Sequence, residues 1–148
     1  MLSKSAMYGL RIMAVLSSMD GEEPLKASEI ALRANIPTSY LSKILRRMVE
    51  SNLLCALKGH RGGFTLAKNR KEISFQDVLE SLQGKNEKPI CVFGLSECSS
   101  KNPCILHHQW AAARAPFEKW ACETTLADIA VLPNKVSAKN QNPKKKKI

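Results

Sequence analysis

The segment 38–50 places the tightest limit on what this chain can fold into. Leu41, Ile44, Leu45, Met48 and Val49 fall at i, i+3, i+4, i+7 and i+8, which gathers the aliphatic side chains on one face of an α-helix. The opposite face carries Ser39, Ser42, Lys43, Arg46 and Arg47. Thr38 is a good N-cap for this helix, and Asn35-Ile36-Pro37 before it reads as a turn. A short helix over 27–34, with Ile30 and Ala31 facing inward, precedes the turn. A short helix, a tight turn and a longer helix with a polar, basic outer face form a helix-turn-helix pattern.

The residues that follow sharpen the pattern. Segments 53–58 and 64–67 read as strands, joined by Gly59-His60-Arg61-Gly62-Gly63. The glycines of this tip permit the positive φ angles of a sharp turn. A hairpin directly after the second helix is a wing, and it sets Lys58 and Arg61 where phosphates or a minor groove could meet them. Charge agrees in sign: 23 basic against 13 acidic residues give a net +10 and a pI near 9.6, within the range of nucleic-acid-binding domains. Its distribution is uneven. Residues 1–84 hold 12 basic and 8 acidic residues, 85–132 hold five of each, and 133–148 hold six lysines and no acid.

The rest of the chain divides around this module. Leu2, Ala6, Leu10 and Met13 recur at helical spacing, so 2–18 reads as an amphipathic helix, and 20–24 as a loop. Ser74 opens a further helix, with Asp77 completing a capping box and Ile73 with Val78 a hydrophobic staple. Phe75, Val78, Leu79 and Leu82 supply its buried face, and Gly84 closes it. Residues 85–103 read as a long polar loop, a length usually tied to function. Residues 104–123 read as helical, with Trp110, Ala113, Phe117 and Trp120 forming an a/d seam that needs a covering surface. Pro116 inside it predicts a kink or two shorter helices. Thr125 to Asp128 caps a final turn. The expected organisation is therefore a DNA-binding domain over 1–84, a cysteine-bearing loop over 85–103, a dimerisation helix region over 104–132 and a disordered basic tail over 133–148. The fold class is mainly α with a small β-hairpin wing.

No apolar run exceeds five residues, as at 53–57, where a transmembrane helix needs about 20. Nor is there a signal-peptide core, so a cytoplasmic protein without a membrane partner is expected. In a reducing compartment, clustered cysteines point to metal or redox chemistry rather than disulfides. Cys91, Cys98, Cys104 and His107 leave gaps of six, five and two residues. Thiolates select zinc, copper(I) and iron–sulfur clusters, and imidazole suits zinc and iron. The two knuckles of a zinc finger or ribbon are missing, so the spacing supports a metal or redox site and leaves the metal open. Cys55 and Cys122 read as packing residues.

These motifs together resemble the IscR/NsrR family of bacterial winged-helix transcription regulators. The resemblance is carried by Leu2-Ser3-Lys4 with Tyr8-Gly9-Leu10-Arg11, by Ser39-Tyr40-Leu41, by Lys58-Gly59-His60-Arg61-Gly62-Gly63-Phe64, by the three spaced cysteines and by Thr124-Thr125-Leu126-Ala127-Asp128. It covers about residues 1–130. It implies a homodimer with a recognition helix in each major groove, a wing in the adjacent minor groove and a pseudo-palindromic double-stranded operator. Ser39, Tyr40, Ser42 and Lys43 match the family's helix contacts, and Lys58 and Arg61 its wing contacts. Thr38, Arg46 and His60, beside them, complete the candidate DNA-binding set. The resemblance also implies a sensory iron–sulfur cluster of the 2Fe–2S type, held by Cys91, Cys98, Cys104 and His107. A 4Fe–4S cluster or zinc is the alternative occupant. His108 adjoins His107. The nitric-oxide-sensing branch takes an acidic ligand from the partner's first helix, where this chain has Met7, which favours His107.

The expected function is thus a homodimeric, sequence-specific transcription regulator, a repressor, whose DNA affinity follows a cluster sensing redox, iron or nitrosative state. A regulator with structural zinc or a thiol switch is one alternative, and a cluster or metal carrier without DNA binding is another. Cys104 and His107 could imitate a catalytic Cys–His pair, but no orienting residue, oxyanion motif or cofactor fingerprint accompanies them, so an enzyme is not expected.

Overall fold

A computed structural model describes residues 2–19, 23–83, 91–94 and 98–129. Five helices and one hairpin follow in chain order: α1 (Lys4–Ser18), α2 (Ala27–Ala34), α3 (Thr38–Glu50), β1 (Leu54–Leu57), β2 (Gly63–Leu66), α4 (Phe75–Gln83) and α5 (His107–Glu123), with a 3-10 turn at Arg70–Glu72. Three boundaries have a local cause. The Ser3 hydroxyl accepts from the Ala6 amide at 3.1 Å and starts α1. Asn35, at φ 52°, ends α2 in the left-handed conformation that asparagine tolerates. The capping box expected at Ser74 is present: its hydroxyl accepts from Asp77 N at 3.1 Å, and Asp77 Oδ2 accepts from Ser74 N at 2.8 Å.

The core lies where α1, α3 and α4 meet. Ile12, Met13, Ile30, Met48, Leu54, Ile73, Val78 and Leu126 are fully buried there. Gly9 of α1 faces Leu82 and Met48, and a Cβ at this position would strike both side chains, so glycine sets how closely the helices approach. The buried face of α3 is the predicted one, Leu41, Ile44, Leu45 and Met48, with Val49 only half-buried.

The hairpin pairs Leu54 with Leu66 and Leu57 with Gly63, antiparallel. It does not stand alone. Leu25, in the link between α1 and α2, bridges Phe64 through Phe64 N to Leu25 O at 2.8 Å and Leu25 N to Phe64 O at 3.1 Å. A second long-range tie closes the other end of the domain. After α5 the chain returns so that Phe75 N donates to Thr124 O and Leu126 N to Ile73 O, each at 2.9 Å. The buried Ser17 hydroxyl of α1 donates to Leu126 O at 3.1 Å. The Thr125–Asp128 turn forms as expected, with Asp128 Oδ2 accepting from Thr125 N at 2.8 Å.

Several expectations need correction. Pro37, not Thr38, is the N-cap of α3; it lacks a capping side chain, and Thr38 is the first helical residue. Arg47 is exposed as expected, but it is not a free cation. Its guanidinium donates to Leu82 O at 2.6 Å, because the last carbonyls of α4 need a donor from outside the helix. Pro116 does not divide α5 into two shorter helices: the helix is continuous from His107 to Glu123. Residues 104–106 precede that helix as a turn. Cys55 and Cys122 are exposed rather than packed. Gly84, much of the 85–103 loop and the 133–148 tail lie outside the described residues.

Candidate nucleic-acid interface and thiol site

The outward face of α3 follows from the packing of its inward face. With Leu41, Ile44, Leu45 and Met48 held in the core, the helical period turns Ser39, Ser42, Lys43 and Arg46 outward, and all four are exposed. Among the described residues Lys43 has no carboxylate partner, whereas Arg46 Nε pairs with Glu50 Oε1 at 2.8 Å on the exposed surface. Lys43 is therefore the better-placed cation for base edges or phosphates. On the wing, Gly59 at φ 105° and a Gly62 N to Gly59 O bond at 3.0 Å make the tip. Lys58, His60 and Arg61 are exposed on it.

A cluster beside α3 escaped the sequence reading. Tyr40 meets Tyr8 of α1 edge-on at 5.8 Å. Lys4 Nζ lies 5.6 Å from the Tyr40 ring centre and 6.0 Å from that of Tyr8, and Arg11 lies 5.8 Å from Tyr8. These contacts position Tyr40 and bring two more cations to the start of α3. Lys4, Tyr8 and Arg11 also line a groove of about 810 Å³ between α1 and the α2–α3 turn, together with Ala31, Ile36 and Pro37. The available signal was the i, i+4, i+7 spacing of Lys4, Tyr8 and Arg11 on the polar side of α1.

The four candidate ligands assemble as two pairs. Cys91 Sγ lies 4.0 Å from Cys104 Sγ, and Cys98 Sγ lies 3.3 Å from His107 Nδ1. Cys91 is buried, while Cys98, Cys104 and His107 are half-buried. His107 opens α5 and has His108 beside it at 5.4 Å. Among the described residues no three His, Cys, Asp or Glu side chains converge on a single-ion site. Three thiols and an imidazole are donors that suit an iron–sulfur cluster or zinc, so by donor chemistry the residues fit a cluster.

The aromatic seam of α5 is left largely uncovered. Only Ala121 of this helix is buried, and Phe117 and Trp120 remain 38% and 47% exposed although Trp120 also touches Phe75 at 5.1 Å. Val92, Phe93, Ile105 and Leu106 are exposed as well.

The helix-turn-helix, its hairpin and the basic face they share define a class: a winged-helix, DNA-binding transcription regulator, and not an enzyme. Residues 2–131 match the Rrf2 family model, described as an iron-dependent transcriptional regulator, and the chain belongs to that family. Protein rrf2 of Nitratidesulfovibrio vulgaris is 29% identical over 135 residues, covering 86% of this chain and 85% of that protein. The regulator IscR of Pectobacterium atrosepticum is 26% identical over 109 residues, 74% of this chain and 66% of its own. The structure of CymR, the global cysteine regulator of B. subtilis, superposes with a TM-score of 0.74 at 25% identity, covering 88% of this chain and 95% of that one. No helix among the described residues is long and apolar enough to cross a membrane.

Proposed function

We propose that the chain is a cytoplasmic homodimeric repressor that reads a pseudo-palindromic operator and whose grip on DNA follows the state of a 2Fe–2S cluster. The observation that carries this reading is the pairing of Cys91 with Cys104 and of Cys98 with His107, in a chain similar to IscR. Those four residues would hold the cluster. When bound, it supplies a centre that oxidants, iron limitation or nitric oxide can alter or remove.

The protein's own residues do the rest. Ser39, Tyr40, Ser42 and Lys43 enter the major groove, where lysine donates to guanine acceptors and serine reads either base type. Thr38 and Arg46 flank them, and Lys58, His60 and Arg61 contact the backbone or minor groove. The seam of half-buried Trp110 and exposed Phe117 and Trp120 packs against a second copy, which fixes the spacing of the two recognition helices. Freeing Cys91 and Cys98 from the start of α5 loosens the loop between α4 and α5 and lets the recognition helices change relative angle. A coupling of about 1–3 kcal/mol is enough for regulation.

The test is protein purified without oxygen, with visible absorption recorded and iron, sulfide and zinc counted per chain. Near-equal iron and sulfide, lost in a Cys98→Ala variant, is expected. A duplex enriched from a random pool should then bind holo and apo protein with different affinity at matched salt. Colourless protein after reconstitution, or equal affinities, would overturn the reading.

A further inference from the structure

Cys91 and Cys104 stand apart from the other three cysteines in a way the ligand role does not require. Their sulfurs are 4.0 Å apart, while a disulfide needs about 2.05 Å, so an approach of about 2 Å between the sulfurs would close the bond. Their exposures are unequal: Cys91 is 3% exposed and Cys104 half-buried. Cys98 is engaged with the His107 ring instead. Cys55 lies on the wing and Cys122 in the last turn of α5.

We infer that Cys104 and Cys91 form an attacking and resolving dithiol that closes to an intramolecular disulfide in metal-free protein. The inference deepens the cluster reading, because the disulfide withdraws two of the four candidate ligands. The oxidant is a low-molecular-weight disulfide. The Cys104 sulfur, the more accessible of the two, attacks it; one half leaves as a thiol and the other stays on Cys104 as a mixed disulfide. The Cys91 sulfur then attacks Cys104 Sγ and displaces that second half. Two protein thiols are oxidised, one small disulfide is reduced to two thiols, and both protons leave with them. The product ties the loop after α4 covalently to the start of α5, and the chain cannot reload iron until it is reduced.

The experiment treats metal-free full-length protein with excess oxidised glutathione under nitrogen. The expected result is a mass loss of about 2 Da, a thiol count falling from five to three, and one cross-linked peptide joining Cys91 to Cys104. Cys98→Ser keeps that cross-link, and Cys91→Ser accumulates glutathione on Cys104. Folding of each variant is checked by its thermal melt. Five titratable thiols after treatment, a stable glutathione adduct on Cys104 in the parent, or a cross-link containing Cys98 would overturn the inference. Iron and sulfide are then offered to the oxidised protein and to the same sample after dithiothreitol. Uptake restored by the reductant supports the gating. Uptake by the oxidised protein refutes the gating. A confirmed cross-link with no uptake in either sample sinks the cluster reading and leaves the dithiol standing.

Discussion

Replacing Gly63 with alanine should release the wing from the helical body. Gly63 does not need a positive φ; it is held to glycine by proximity. A Cβ there would lie 2.5 Å from Leu25 O, 2.7 Å from Leu25 C and 3.1 Å from Pro24 C. Ordinary carbon contacts are about 3.5–4.0 Å, and the obstructing atoms are backbone, which no rotamer change can move aside. The link between α1 and α2 must separate from β2, and both Leu25–Phe64 hydrogen bonds sit at that seam. Each bond contributes about 0.5–1.5 kcal/mol, and the overpacking costs about 1–3 kcal/mol. Alanine returns about 0.4–1 kcal/mol by restricting the unfolded chain. A net loss of about 1–5 kcal/mol follows, a fall in Tm of roughly 3–20 °C for a chain of this size. Thermal melts followed by circular dichroism measure the shift, and amide exchange at Leu25 and Phe64 locates it. Gly59→Ala is the control: its φ of 105° strains alanine, but nothing lies within 4 Å, so the Leu25 and Phe64 amides should stay protected. A Gly63→Ala protein melting within about 1 °C of the parent, with those amides still slow, would refute the close-approach argument.

Lys43→Ala should weaken operator binding by about 1–3 kcal/mol in a titration at fixed salt and relax base preference at one position. Deleting residues 133–148, which carry six lysines and no acid, should flatten the salt dependence of DNA binding and leave sequence preference unchanged. The log–log slope should fall by about 0.9 for each phosphate the tail neutralises. The bonds from the Thr125 amide and hydroxyl hold the Asp128 carboxyl below its ordinary range. Its contribution is therefore present above a pH of about 4 and lost as pH falls through the lower folded value. Urea denaturation should show Asp128→Asn less stable than the parent at neutral pH, with the difference shrinking in strong acid. Met48→Ala, at a fully buried position in the core, should cost about 2–5 kcal/mol in the same assay.

The helix-turn-helix was legible because α3 is strongly amphipathic, and that periodicity alone separates Leu41, Ile44, Leu45 and Met48 from the exposed Ser39, Ser42 and Lys43. The Ser74–Asp77 capping box was legible for the same reason: its partners lie three residues apart and act locally. What the sequence concealed depends on contacts between distant segments. The Leu25–Phe64 bridge spans the whole helix-turn-helix, and Arg47, in an outward-facing row, is claimed by the end of α4. The Tyr8–Tyr40 contact likewise needs α1 and α3 placed side by side. Pro116 did not divide α5 because its missing amide costs a hydrogen bond without ending a helix that extends well to either side of it. The cysteine spacing pointed to a site, yet the division into two pairs is a property of the folded loop.

The return of the chain after α5 has a mechanical consequence. The end of this helix is pinned, with Thr124 and Leu126 bonded to the residues flanking Ser74 and Ser17 bonded to Leu126. Its start carries His107, just beyond Cys104, with the Cys98 sulfur against its ring. The helix is 17 residues long, a rigid arm of about 25 Å. It is a lever with a fixed fulcrum at one end and the thiol pairs at the other. A displacement of about 2 Å at the thiol end would swing such an arm by roughly 5°. The apolar seam rides on the same arm, so any such displacement would tilt that whole surface.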